Sequence, residues 1–195
     1  MFAPFDQCDW NAIDRLVDEF PFAWIVTSGL NSTPLPLLAE RGTDGTIVSL
    51  LGHCGRRNLI VADLLSNPRA LIVFQGPSGY ISPRLVSEPN WGPTWNYAAV
   101  RFVVDIEFVE EETAAAIESL LDKMEGNDKG RWTSANLGER YEAMLAQIIA
   151  FRARVCEFRP TLKMGQDERR PIFDEIVAKL GDRQLAEWME ALAQG

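Results

Sequence analysis

The chain has 195 residues, 47% of them hydrophobic and 24% charged, which suits one folded main domain and excludes a disordered segment or a fibrous repeat. Its formal net charge is −9, with 19 Lys and Arg against 28 Asp and Glu and no basic run longer than two, so direct DNA binding by the isolated chain should be weak. No apolar stretch approaches the roughly 20 residues of a membrane helix. The start, "MFAPFDQCDW", has no basic segment followed by an apolar block, so no signal peptide is expected and a cytoplasmic location is.

In chain order, Trp10, Ile13, Leu16, Val17 and Phe20 recur at near-helical spacing, which predicts an amphipathic helix over residues 9 to 20 with Asp9 as its cap and Pro21 as its stop. "FAWIVTS" is an apolar, β-branched and aromatic run closed by turn residues, hence a buried strand. "PLPLLAER" and "TIVSLLGH" flank the turn-forming Asp44-Gly45, which predicts a hairpin over 35 to 53. A short helix should follow around Leu59 to Leu65, ended by Asn67-Pro68. "RALIVFQG" and "GYISPRL" read as two strands meeting at a stiff corner at Gln75-Gly76-Pro77.

After the Pro- and Gly-rich loop "VSEPNWGPTWN", alternation puts Ala98, Val100, Phe102, Val104, Ile106 and Phe108 on one face of a long half-buried antiparallel strand. "EEETAAAIESLLDKMEG" has acids at its start, Lys123 near its end and Gly126 after it, as a helix prefers. "NDKGRWTSAN" is a loop, "LGERYEAMLAQIIA" a further helix, "FRARVCEFRPTLKM" a last strand. The tail from 167 to 195 reads as two antiparallel helices broken at Gly181-Asp182. Short strands joined by hairpins, followed mainly by helices, predict a mainly β protein with helices (α+β): a closed or partly closed barrel whose open ends the helices cover.

Several groups could carry chemistry. In "SLLGHCGRRN" a strand passes through Gly52 and Gly55 into a helix start that bears Arg56 and Arg57. Backbone N–H groups and guanidinium forks there suit an anion, although two solvated arginines would read the same. The spacing fits neither a Walker A loop nor a dinucleotide GxGxxG. His53 is the only histidine, and neighbours on a strand point to opposite faces, so Cys54 and His53 do not make a nucleophile pair. A neutral, hydrogen-bonding His53 fits better, and no catalytic residue is assigned. Cys8, Cys54 and Cys156 are widely spaced without a CxxC pair, which predicts reduced thiols and no metal site.

"FQGPSGYISP" and "GPTWNYAAV" concentrate rings and amides. Either a flat heteroaromatic ligand stacks there or the rings form a structural cluster around a stiff turn. The tail could also be a helix-turn-helix, but its helices carry Asp174, Glu175, Asp182, Glu187 and Glu190 against Lys179 and Arg183, so a packing hairpin is the better reading.

Taken together, "GHCGRRN", "FQGPSGYISP", "PTWNYAAV", "IIAF" and "KMGQDE" resemble, in order and spacing over nearly the whole chain, the PaiB family of FMN-binding split-barrel proteins, known as negative transcriptional regulators. The family pattern has serine and asparagine where this chain has Gly165 and Asp167. The resemblance implies a split β-barrel domain over 1–165 with a C-terminal helical hairpin over 166–195, and a homodimer with FMN in a groove at its interface. Arg56 and Arg57 would hold the phosphate; His53, Gln75, Tyr80, Ser82, Trp95 and Asn96 would line the ring or ribityl groove; Lys163 and Gln166 would contribute from the last motif. The implied role is a regulatory or sensing module rather than an enzyme. The alternatives are a flavin-dependent oxidoreductase and a flavin-free interaction protein; haem on His53 ranks below them.

Overall fold

Asp9 begins the first helix as its position predicts: its Oδ1 accepts from the backbone N–H of Asn11 and Ala12 at 3.0 and 3.2 Å. In the computed structural model, which describes residues 5, 9–126 and 128–193, this helix is α1 (Trp10–Glu19), with Ala12, Ile13, Leu16 and Val17 buried. Six strands follow: β1 (Phe22–Thr27), β2 (Ser32–Arg41), β3 (Ile47–Gly55), β4 (Arg69–Ile81), β5 (Thr94–Phe108) and β6 (Ile148–Lys163). They close into a barrel in the order β1-β2-β3-β6-β5-β4. The helices are α2 (Leu59–Ser66), α3 (Thr113–Glu125), α4 (Arg140–Leu145), and a C-terminal pair, α5 (Arg170–Lys179) and α6 (Arg183–Ala193).

The barrel closes because two non-local pairings join its ends: β1 lies antiparallel to β4 with Trp24 opposite Val73, and β3 antiparallel to β6 with Ser49 opposite Arg154. Alternation then sorts side chains inward and outward. On β5, Ala98, Val100, Phe102, Val104 and Ile106 are buried in one unbroken phase, as their spacing predicts.

The chain forms two compact units. The barrel unit comprises Phe20–Phe74 and Arg101–Phe158. Its interior is filled by Ile25, Leu37, Leu50, Ile72, Phe74, Phe102 and Phe151, with Phe74 and Phe102 edge-to-face at 5.9 Å between centroids. Gly52 lies at the tightest part: a Cβ there would come within 2.5 Å of Leu37 and 2.7 Å of Phe151. Helix α2 is tied to the β1–β2 turn by Asp63, which accepts from Thr27 Oγ1 at 2.5 Å and Asn31 Nδ2 at 2.9 Å. Arg152 on β6 joins β2 to the segment before α3 by pairing with both Glu40 and Glu112.

The second unit comprises the N-terminal segment through Glu19, Gln75–Val100 and the chain from Arg159 onward. Trp188 of α6 is fully buried, donates from Nε1 to Glu19 at 3.0 Å, and lies beneath the Arg15 guanidinium at 4.4 Å.

Two expectations fail. The two strands predicted to meet at Gln75-Gly76-Pro77 are one element, since β4 runs unbroken from Arg69 to Ile81. Its buried positions shift phase there, from Ala70, Ile72 and Phe74 to Pro77 and Ile81. Its glycines serve close approach instead: a Cβ on Gly79 would lie 2.7 Å from Leu185 of α6, and one on Gly76 would lie 3.3 Å from Leu16 of α1. The helix predicted over "LGERYEAMLAQIIA" is also shorter, at Arg140–Leu145, and Ile148–Ala150 begin β6. Opposite Gly55, Cys54 and His53 these residues complete the ladder of β3, and the β-branched Ile148 and Ile149 suit that pleat.

Candidate functional site

At the C-terminal end of β3 the alternation places Gly52 and Cys54 inward and His53 outward. Cys54 is 1% exposed and burial pushes its thiol up to about 11, so at neutral pH it is a protonated, inert group. It does not face His53. The His53 imidazole is half-buried, makes no hydrogen bond among the described residues, and is held by desolvation below the usual histidine range, which keeps it neutral at pH 7.

The strand then enters α2 through Arg56, Arg57 and Asn58. Asn58 caps the helix, its Oδ1 accepting from the Ile60 N–H at 3.2 Å. Arg56 is committed within the chain: Nη2 meets Glu110 at 2.7 Å, Nε donates to the Ala146 carbonyl at 3.1 Å, and its backbone N–H donates to Gln147. It therefore staples the approaches to α3 and β6. Arg57 beside it is exposed and makes no side-chain bond among the described residues. Of the two arginines, Arg57 alone has its whole guanidinium available for an external anion.

The remaining candidates lie in the second unit. Tyr80 and Trp95 are 50% and 57% exposed, with ring centroids 6.1 Å apart and planes tilted by 59°. Such solvent-facing rings offer apolar planes to a flat ligand. Gln75 is exposed and donates weakly to Ser78 Oγ at 3.4 Å. Ser82 caps the short 3₁₀ turn Pro83–Leu85, accepting from the Arg84 N–H. Lys163 donates to Thr94 Oγ1 at 2.6 Å. Gln166 uses both ends of its amide on the turn after β6, accepting from Met164 N and donating to the Leu162 carbonyl.

Asn96 is 2% exposed, in phase with the buried Ala98 and Val100. Its Nδ2 lies 3.5 Å from Met189 Sδ and its Oδ1 has no partner, an orphaned acceptor in an otherwise closed core. The site of a Cβ on Gly165, where φ is +83°, is 3.5 Å from that same amide.

The structure thus groups His53, Arg56 and Arg57 in the barrel unit, and Gln75, Tyr80, Ser82, Trp95, Asn96, Lys163 and Gln166 in the other. What sequence spacing could not disclose is the set of partners that occupy Arg56. Glu110 and Ala146 are 54 and 90 positions away in the chain, and no local pattern links them. Among the described residues no three of His, Cys, Asp and Glu converge as metal ligands. Cys54 and Cys156 are free thiols, and Cys8 lies outside the described residues. No described helix is long and apolar enough to cross a membrane.

Comparison with known proteins bears on this arrangement. Residues 1–157 match the model of a family described as "Putative FMN-binding domain". The protease synthase and sporulation protein PAI 2 of Bacillus subtilis is 27% identical over 192 residues, covering 93% of this chain and 89% of that protein. Among solved structures, the flavocytochrome Anf3 from Azotobacter vinelandii superposes with a TM-score of 0.61 at 12% identity, covering 80% of this chain and 68% of that one. The FAD and heme binding protein from Mycobacterium smegmatis gives 0.59 at 14% identity, covering 80% and 72%. These two structures share the fold. The family match runs through β1 to β5 and most of β6, including the "GHCGRRN", "FQGPSGYISP" and "PTWNYAAV" motifs, and the chain accordingly belongs to the PaiB-like family of FMN-binding split-barrel proteins.

Proposed function

We propose that the protein is a homodimeric, PaiB-like regulatory or sensing module that binds FMN through the β3–α2 junction. The observation that carries this is Arg57: an exposed guanidinium with no partner among the described residues, immediately before a capped helix start, in a chain whose net charge is −9. An uncompensated arginine at the positive end of a helix is explained by an anion, and the phosphate of FMN is one. The donor set fits the group. Arg57 would hold the phosphate bidentately, and Arg56 keeps the junction rigid through Glu110 and Ala146. Gln75 and the exposed Tyr80 and Trp95 rings belong to the second unit and offer an amide and apolar planes there. Asn96, Ser82, Lys163 and Gln166 act through the backbone and side chains that they fix.

FMN, when bound, supplies hydride and single-electron chemistry. The residues around His53 and Arg57 bind and orient; Cys54, buried and protonated, adds no nucleophile. That favours sensing over turnover. A homodimer is supported by the outer face of β1, where Phe22 and Trp24 are 64% and 51% exposed, opposite Pro36 and Pro34 on β2. An uncharged apolar face is where two copies of so acidic a chain can approach.

The test is FMN titration followed by visible absorption, on the wild type and on Arg57→Gln. Loss of a bidentate charged contact should weaken FMN by about 10- to 100-fold while the melting temperature without FMN stays the same. Equal affinity in Arg57→Gln would remove the proposed phosphate site. NAD(P)H consumption that depends on bound FMN would make the protein an oxidoreductase instead.

A further inference from the structure

On the outer wall of the barrel, between β3, α3, α4 and the start of β6, lies a pocket of about 280 Å³ lined by aliphatic residues, Met144 and the side chains of His53, Trp132, Ser134 and Tyr141. All of it belongs to the barrel unit. In a chain in which 24% of residues are charged, none of the lining residues other than His53 can carry a charge near neutral pH. Trp132 and Met144 are 40% and 46% exposed, so the apolar lining is open at its rim rather than sealed as core. Its polar side chains include the half-buried His53 imidazole, which has no hydrogen-bond partner among the described residues, and the hydroxyls of Ser134 and Tyr141.

We infer that this pocket binds a small, uncharged aromatic molecule of one or two rings, with one hydroxyl or N–H group directed to His53. Its volume lies near the lower end of small-molecule sites, and apolar walls with a few convergent polar groups are the usual form of such sites. The absence of any lining cation or anion selects against charged ligands, because a carboxylate placed there would lose its hydration with no compensating partner. Trp132 and Tyr141 supply ring faces, and the neutral imidazole accepts from a hydroxyl at one nitrogen. Occupancy would report through His53 to the junction that bears Arg57 four residues later, which gives a sensing module its effector site. The pocket itself is independent of whether FMN binds.

His53 is the only histidine, so its imidazole proton resonances are unique reporters. Flavin-free protein is titrated with 1-naphthol and, separately, with 1-naphthoate, a charged molecule of the same ring size. Saturable movement of the His53 resonances by naphthol, and binding of naphthoate weaker by about tenfold or more, are expected. Leu121→Trp, which fills the pocket, should abolish the response with the circular dichroism spectrum retained. Met144→Trp at the rim replaces it should Leu121→Trp fail to fold. His53→Gln, followed by ligand-observed NMR, should weaken naphthol by about three- to tenfold. The inference is overturned if naphthol leaves the His53 resonances unmoved, if naphthoate binds as well, or if the filled variants still bind. FMN added to the same samples separates the two sites. Competitive displacement of naphthol by FMN would assign the pocket to the flavin and overturn the inference, whereas naphthol binding without any FMN binding would leave it standing and remove the flavin reading.

Discussion

His53 carries a pH dependence with a definite sign. Burial lowers its folded-state pKa, so the unfolded chain binds the proton more readily, and stability is full above the ordinary value of 6.5 and lost as pH falls through the window below it. Melting temperature should therefore drop as the pH falls below 6.5, and His53→Gln should flatten that drop; an unchanged profile would show that the imidazole is not buried in solution. Asp63 behaves as a lowered carboxylate, held down first by the Thr27 hydroxyl and then by the Asn31 amide. Its contribution is present above pH 3.8 and is lost as the pH falls further, so Asp63→Asn should reduce the melting temperature at pH 7 and reduce it progressively less as the pH is lowered below 3.8. The two free thiols differ for the same kind of reason. Cys156 is exposed and should react with a thiol reagent at once, while Cys54, with its pKa raised to about 11, should react only when the protein unfolds. Equal rates under native conditions would contradict the burial of Cys54.

Elements are positioned here by close approach more than by turn chemistry. Gly52 lets β3 pass Leu37 and Phe151 inside the barrel, so Gly52→Ala should destabilise by about 1–3 kcal/mol through overpacking. Chemical denaturation checks this, and a change under 0.5 kcal/mol or so would mean that the barrel wall yields. The same logic explains β4. "GPSG" carries every composition signal of a turn, and local propensity alone predicts a corner. The extended conformation wins because Leu16 and Leu185 pack against the strand at Gly76 and Gly79, where no side chain stands in the way. Likewise Ile148 to Ala150 have helical spacing with the preceding segment, yet pairing with β3 satisfies backbone groups that an extended helix would have left unpaired on β3.

At the scale of the whole molecule, charge and apolar surface set partners. With a net charge of −9, the chain should give no DNA gel shift at physiological salt, and tight sequence-selective binding would overturn that expectation. Light scattering should report a dimer, converted toward monomer by Trp24→Glu on the exposed β1 face. What the amino-acid order determined by itself was whatever depends on neighbours a few residues apart. The Asp9 cap, the inward phase of β5, the α5–α6 break at Gly181 and the family motifs all belong to this class. Asn96, in phase with Ala98 and Val100, is buried by the same alternation. Closure of the barrel through β1–β4 and β3–β6, the occupation of Arg56 by Glu110 and Ala146, and the freedom of Arg57 were decided only by tertiary structure. Those contacts join residues tens of positions apart, and which of them form is fixed by burial and backbone hydrogen bonding over the whole fold rather than by any local preference.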